Sequence, residues 1–236
     1  MDIIITGGAG TIGQASAKIL LSQGYRPVLF DIDRDRVTQV ATMLGVPWTH
    51  VDLSISKSVE NAFSDYGDNL YGVVLAAGIV GPVGLLEDCR DEDFDLAMTV
   101  NVRSVWLGLK HALKALKLKG RGSIVVVSSL SGNIGSPMLS AYCATKHAVL
   151  GLVRAAAKES ATSGVRVNAV CPGPVNSVMM KNIDIAMGRA GAEASVPMRR
   201  YAEPIEVAEA IAFLCSEKSA YMSGSTLMLD GAYSTR

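Results

Sequence analysis

The feature that most narrows the folds open to this chain is a regular alternation of short apolar runs with helix-patterned stretches, from its first residues to its last. The apolar runs are Asp2 to Thr6, Pro27 to Asp31, Trp48 to Val51, Tyr71 to Ala76, Ser123 to Ser128, Arg166 to Val170 and Thr226 to Leu229. Several are almost continuous in Ile, Val and Leu, as strands buried on both faces must be. Helical patterning falls between them, near 11–23, 34–44, 56–66, 92–118, 140–161 and 204–216. Strands joined through helices run parallel. The pattern therefore predicts an α/β protein: a doubly wound, seven-stranded parallel sheet with helices on both faces. With 236 residues, no internal repeat and no Pro/Gly/Ser-rich linker, the chain is expected to form one domain over 1–236.

The first strand runs directly into TGGAGTIG, Thr6 to Gly13, and then into a helix. In that context Gly7, Gly10 and Gly13 allow a tight turn, a close approach to a pyrophosphate and close helix packing. The N–H groups at Thr11, Ile12 and Gly13 then face the phosphates. No lysine of a nucleoside-triphosphate loop is present, so the expected ligand is a dinucleotide. Asp31 ends the second strand about twenty residues past the glycines, where a carboxylate accepts from ribose hydroxyls and repels a 2′-phosphate. That favours NAD over NADP. The other expectation for Asp31 is a turn cap before a helix begun by Asp33. Asp52 and Leu53 close the third strand where a carboxylate meets adenine's amino group. After the fourth strand, Ala77 and Gly78 are small enough for backbone to pass close to an adenosine.

Chemistry is concentrated in residues 129–146, SLSGNIGSPMLSAYCATK. Tyr142 and Lys146 lie four residues apart in a helical stretch and so project from one face. An ammonium beside a phenol favours the phenolate, which points to a proton-transfer pair. Ser129, ending an apolar strand, brings a hydroxyl to the same sheet edge, where open α/β folds build their sites. Asn101 lies inside the apolar 92–118 pattern, so its amide needs a specific partner, as core glue or as a relay. Cys143 and His147 point around the helix from the pair, and His111 reads as a solvated or interface residue. The span from Pro174 to Tyr201 is long, Met-rich and weakly periodic, the signature of a substrate-binding lid over 174–201. Met179 and Met180 on it, with Leu130, Met138 and Leu139 opposite, predict a pocket for an apolar or mixed alcohol or ketone. Arg199 and Arg200 read as surface or lid-closing contacts.

Lys plus Arg equals Asp plus Glu at 22 each, with no basic stripe, so no nucleic-acid partner is expected. The four cysteines form no Cys-x-x-Cys and no metal-ligand pattern, which predicts free thiols, no metal and a cytoplasmic location. No apolar run approaches the ~18 residues of a membrane span.

With these residues in order, the chain resembles the short-chain dehydrogenase/reductase family in its single-domain form, over nearly its whole length. That family's Asn-Ser-Tyr-Lys tetrad matches Asn101, Ser129, Tyr142 and Lys146. Its Pro-Gly motif matches Pro172 and Gly173, with Val175 and Ser177 where the nicotinamide carboxamide is met. Its late Gly and Asp-Gly match Gly224 and Asp230-Gly231. Two positions depart: Thr11 stands at the usual second glycine, and Leu75-Ala76-Ala77-Gly78 replaces Asn-Asn-Ala-Gly. The glycine spacing is similar to that of the epimerase and dehydratase branch, which is one rival reading; a catalytically idle NAD-binding regulator is another. The resemblance implies a Rossmann fold and hydride transfer between NAD and a secondary alcohol or ketone. In it Tyr142 is the general acid/base, Ser129 and Tyr142 hold the reacting oxygen, Lys146 binds the nicotinamide ribose and Asn101 anchors a water. It also implies a homotetramer joined through the helices near 92–118 and 140–161 and the last strand.

Overall fold

The computed structural model describes residues 1–66 and 69–235. Seven strands pair in the order β3-β2-β1-β4-β5-β6-β7, every pairing parallel. They are β1 (Asp2–Thr6), β2 (Arg26–Asp31), β3 (Trp48–His50), β4 (Leu70–Leu75), β5 (Gly122–Val127), β6 (Val165–Pro172) and β7 (Thr226–Leu229). The helices between them are α1 (Thr11–Ser22), α2 (Arg34–Leu44), α3 (Ser56–Ser64), α4 (Asp91–Met98), α5 (Ser104–Lys117), α6 (Ser140–Ser160), α7 (Val178–Ala186) and α8 (Pro204–Cys215).

Alternate residues of one strand serve opposite cores, which is why apolar residues dominate both faces of the central strands. Ile4, Val73 and Ile124 pack under α3, α5 and α6 with Val59, Leu107 and Val149. Ile3, Ile5, Val74 and Val125 pack under α1, α2 and α8 with Leu20, Val37 and Ile211. Each such fully buried aliphatic chain contributes ~1.5–3 kcal/mol. Helix starts follow local chemistry: Asp33 accepts from Arg36 N at 3.0 Å to begin α2, and Glu203 and Glu206 form a capping box around Pro204 at α8.

The strand order reverses between β1 and β4, so the loops after these strands diverge and open a crevice at the C-terminal sheet edge. Two local differences from the sequence pattern matter there. The single helix expected over 92–118 is α4 and α5 joined by a π-helical turn, Thr99–Arg103, whose wider coil carries fully buried Asn101 inward. The span after β6 is also more ordered than its weak periodicity suggested. It holds α7, capped by Ser177, and a parallel bridge between Val175 and Ala202 closes its base.

Candidate active site

The glycine turn and the loop after β4 touch. Gly7 has φ +64, and a Cβ there would lie 2.9 Å from Ala77 Cα, so only glycine suits both the backbone and the space. A Cβ on Gly13 would collide with the Gly7 carbonyl oxygen. Gly10 sits at the N-cap of α1 without a side chain to cap it, so the first N–H groups of that helix, at Thr11, Ile12 and Gly13, have no side-chain acceptor among the described residues. This is a cradle suited to a pyrophosphate. Asp31 accepts from Ala9 N at 2.9 Å and from Asp33 N at 3.0 Å. The carboxylate thus caps the turn and stands at the mouth of the cradle, with lone pairs to spare. Asp52 accepts from Ser54 through Oδ1, while Leu53 packs against the core. Pro172 ends β6, Gly173 donates to Leu229 O at 2.9 Å, Val175 is buried, and Ser177 Oγ accepts from Met180 N at 3.1 Å. These residues fit an extended dinucleotide laid along the C-terminal edge.

Beside that edge, Ser129, Tyr142 and Lys146 meet in one cavity of about 470 Å³. Ser129 follows β5 in extended backbone, and its Oγ accepts from Ser131 N at 3.1 Å. Ser128 Oγ donates to the Lys146 carbonyl at 3.1 Å, tying the strand end to α6. Lys146 Nζ donates to Val127 O at 3.0 Å and lies 5.5 Å from the centre of the Tyr142 ring. Both amide protons of Asn101 are engaged: Oδ1 accepts from Ile79 N and Nδ2 donates to Ile79 O, both at 2.8 Å, and Nδ2 also donates to Thr145 Oγ1 at 3.1 Å. A Cβ on Gly78 would lie 3.1 Å from Asn101 Oδ1 and 3.6 Å from Lys146 Nζ, so the loop after β4 rests directly on this group.

The electrostatics differ from the simple pairing of a cation with a phenol. Burial pushes the Tyr142 phenol up to about 12, with a hydrogen bond from Ser129 opposing the rise. Burial also pushes the Lys146 ammonium down to about 8. Tyr142 keeps some surface on the cavity, yet the protein around its oxygen strips water away. The ammonium, turned toward the Val127 carbonyl, does not offset that loss. The phenol is therefore raised where the sequence led us to expect it lowered, because desolvation outweighs a cation placed over the ring.

Much of the remaining wall is apolar. Leu130, Met138, Leu139, Met179 and Met180 all line the cavity, as their sequence positions suggested. Met138 has φ +64, an uncommon conformation for a long side chain. Arg199 and Arg200 are exposed, donating to Ala194 O and to Glu206. Ser131 Oγ bonds Ser136 Oγ at 2.8 Å, and Cys143 Sγ accepts from Ser136 N. His147 is exposed. His111 is half-buried: its ring packs 6.0 Å from Phe63, and its Nε2 is buried without a partner among the described residues.

Sequence reasoning missed Thr145, Thr6 and Arg189. Thr145 links Asn101 to the Tyr142 carbonyl, and Thr6 Oγ1 accepts from Ala76 N and Ala77 N. A hydroxyl closing an all-apolar strand was a readable signal for Thr6. Arg189 lines the cavity and pairs with Asp184 at 2.6 Å, a contact within a weakly patterned segment that left no periodic trace.

A family model described as enoyl-(acyl carrier protein) reductase matches residues 7–234. The chain is similar to the short-chain dehydrogenase/reductase aba4 of Botryotinia fuckeliana, 35% identical, covering 98% of this chain and 95% of that protein. It is 34% identical to the 2-(S)-hydroxypropyl-CoM dehydrogenase 3 of Xanthobacter autotrophicus, covering 97% and 94%. The crystal structure of levodione reductase superposes with a TM-score of 0.92 at 31% identity, covering 98% and 96%.

A consequence of the buried amine is measurable in the cofactor-free chain. Lys146 holds its proton less firmly folded, at about 8, than unfolded, at 10.5. Between those values the unfolded state binds more protons, so stability rises with pH, and the penalty is fully felt only below about 8. Lys146→Met lacks that proton. Urea unfolding at about pH 7.5 and about pH 9.5 is expected to show the stability gap between wild type and Lys146→Met moving about 1–2 kcal/mol in the wild type's favour. A gap independent of pH would contradict the assignment.

Proposed function

The chain belongs to the short-chain dehydrogenase/reductase family, and from that premise we propose that it is an NAD-dependent oxidoreductase of secondary alcohols and ketones, with Tyr142 as the general acid/base. The observation that carries this reading is the meeting of Ser129, Tyr142 and Lys146 in one cavity beside the glycine turn. Relatives named as a hydroxypropyl-CoM dehydrogenase and a levodione reductase support the substrate class.

The nicotinamide dinucleotide, when bound, supplies or accepts the hydride. The residues of the chain do the rest. Thr11, Ile12 and Gly13 would hold the pyrophosphate at the start of α1, and Val175 and Ser177 the carboxamide. In the reductive direction Tyr142, with its pKa raised to about 12, keeps its proton at neutral pH and donates it to the carbonyl oxygen. Ser129 accepts from Ser131 N, and its O–H, which turns to the Tyr142 oxygen when no substrate is bound, would donate to the reacting oxygen once one is. Lys146 spends one N–H on Val127 O and has others for the nicotinamide ribose. Its charge and the Ser129 hydrogen bond both favour the phenolate needed for oxidation. Asn101 is a positioning residue here: one lone pair on Oδ1 is all its side chain keeps for a water.

The preference for NAD rests on Asp31, a carboxylate at the mouth of the cradle where a 2′-phosphate would meet like charge. The span 174–201, closed at its base by Val175 and Ala202, serves as the lid over the substrate. Four free thiols suit a reducing cytoplasm. The assembly is a homotetramer, for which exposed Phe94, Leu96 and Trp106 on α4 and α5 supply apolar surface.

Tyr142→Phe is expected to lower kcat by about 10²-fold or more with NAD affinity retained; near-normal turnover of a ketone it reduces would refute the assignment. Asp31→Asn should shift the ratio of kcat/KM for NAD over NADP toward NADP by about tenfold, corresponding to ~1.4 kcal/mol, and an unchanged ratio counts against the carboxylate's role. Sedimentation should give the mass of four chains, and the mass of one would overturn the tetramer.

A further inference from the structure

We propose that Arg189 recognises a carboxylate on the substrate, so that the alcohols and ketones this chain prefers also carry an acid group. The inference rests on the oxidoreductase reading for the reacting centre, though not for binding of the acid.

Among the described residues lining the cavity, only Lys146 and Arg189 carry charge, and no acidic side chain faces it. Lys146 is turned into the fold toward Val127 O. Arg189 is the remaining cation of a lining that also includes Met180, Ile183, Met187, Ser195 and Tyr233.

It is also held in place. Arg189 Nε donates to Asp184 Oδ1 at 2.6 Å, and Arg189 N donates to the Asp184 carbonyl at 3.0 Å. Tyr201 Oη donates to Asp184 Oδ2 at 2.6 Å and accepts from Ala192 N at 2.6 Å. Asp184 is buried, so the carboxylate, phenol and guanidinium form a fixed frame with little rotamer freedom. Within that frame only Nε of Arg189 is engaged. No hydrogen bond to Nη1 or Nη2 exists among the described residues, and the side chain retains 37% of its surface.

A planar guanidinium bound through Nε still offers its two terminal nitrogens, whose parallel N–H groups match the two oxygens of a carboxylate. Because Asp184 and Tyr201 already order the side chain, little entropy is lost when an anion arrives. The plainer account is that Arg189 only balances Asp184 and braces the span after β6. A brace cannot tell an acid from its ester. Arg199 and Arg200, committed to Ala194 O and Glu206, do not line the cavity and do not compete for the role.

The test uses the full chain saturated with NAD, with calorimetric titration of 4-oxopentanoate and 5-oxohexanoate against their methyl esters. Wild type is expected to bind at least one acid about tenfold more tightly than its ester, and Arg189→Met should bring that ratio to about one. Arg189→Lys, which keeps the charge and loses the fork, should retain part of the preference. NAD affinity reports whether each variant is folded. No acid preference in wild type, or a preference that survives both substitutions, overturns the proposal. Adding reduced cofactor and following its absorbance separates the two ideas. Selective binding of acid with no reduction of any ketone sinks the oxidoreductase reading and leaves the anion site; reduction without acid preference does the reverse.

Discussion

A single hydroxyl joins the two halves of the crevice. Thr6, the last residue of β1, accepts from Ala76 N at 3.1 Å and Ala77 N at 3.3 Å, gathering the start of the loop after β4 against the glycine turn. Gly7 then packs on Ala77, and Gly78, next in line, rests on Asn101 and Lys146. The glycine turn and the group of Ser129, Tyr142 and Lys146 are thus built on one continuous path of close contacts. Bulk at Gly7, or loss of the Thr6 oxygen, disturbs both ends together. Small residues after β4 are required here by the space, whatever occupies the crevice.

The site is held together against an electrostatic cost. Tyr142 and Lys146 are desolvated, and the protein compensates unequally. The ammonium has the Val127 carbonyl, and the phenol has a hydrogen bond from Ser129. Neither restores what water supplied, so both groups are shifted toward their neutral forms. Such shifts are characteristic of groups arranged for proton transfer. Two large cores, one on each face of the sheet, carry that cost, and the π turn at Thr99–Arg103 carries Asn101 inward beside the group.

The span after β6 shows how order can arise without a helical stripe. Its residues are too mixed for periodicity to predict α7. Ser177 nonetheless caps the helix, Val175 and Ala202 pin the base, and Asp184 gathers Arg189 and Tyr201 at its far end. Apolar methionines and one fixed guanidinium then share a single wall.

Much of this was legible in the chain itself. Runs of Ile and Val without polar alternation dictate a parallel sheet covered twice, because each such strand must bury both faces. The glycines after β1 and the four-residue step from Tyr142 to Lys146 are local geometry, so they too could be read directly. What folding alone decided depends on contacts between residues far apart in sequence. Asn101 meets Ile79 and Thr145, and the direction of the Tyr142 shift follows from how much protein surrounds its oxygen. Arg189 reaches the cavity only because Asp184 and Tyr201 fix it there. Periodicity records which face of an element is buried, but neither desolvation nor a long-range hydrogen bond leaves a period behind.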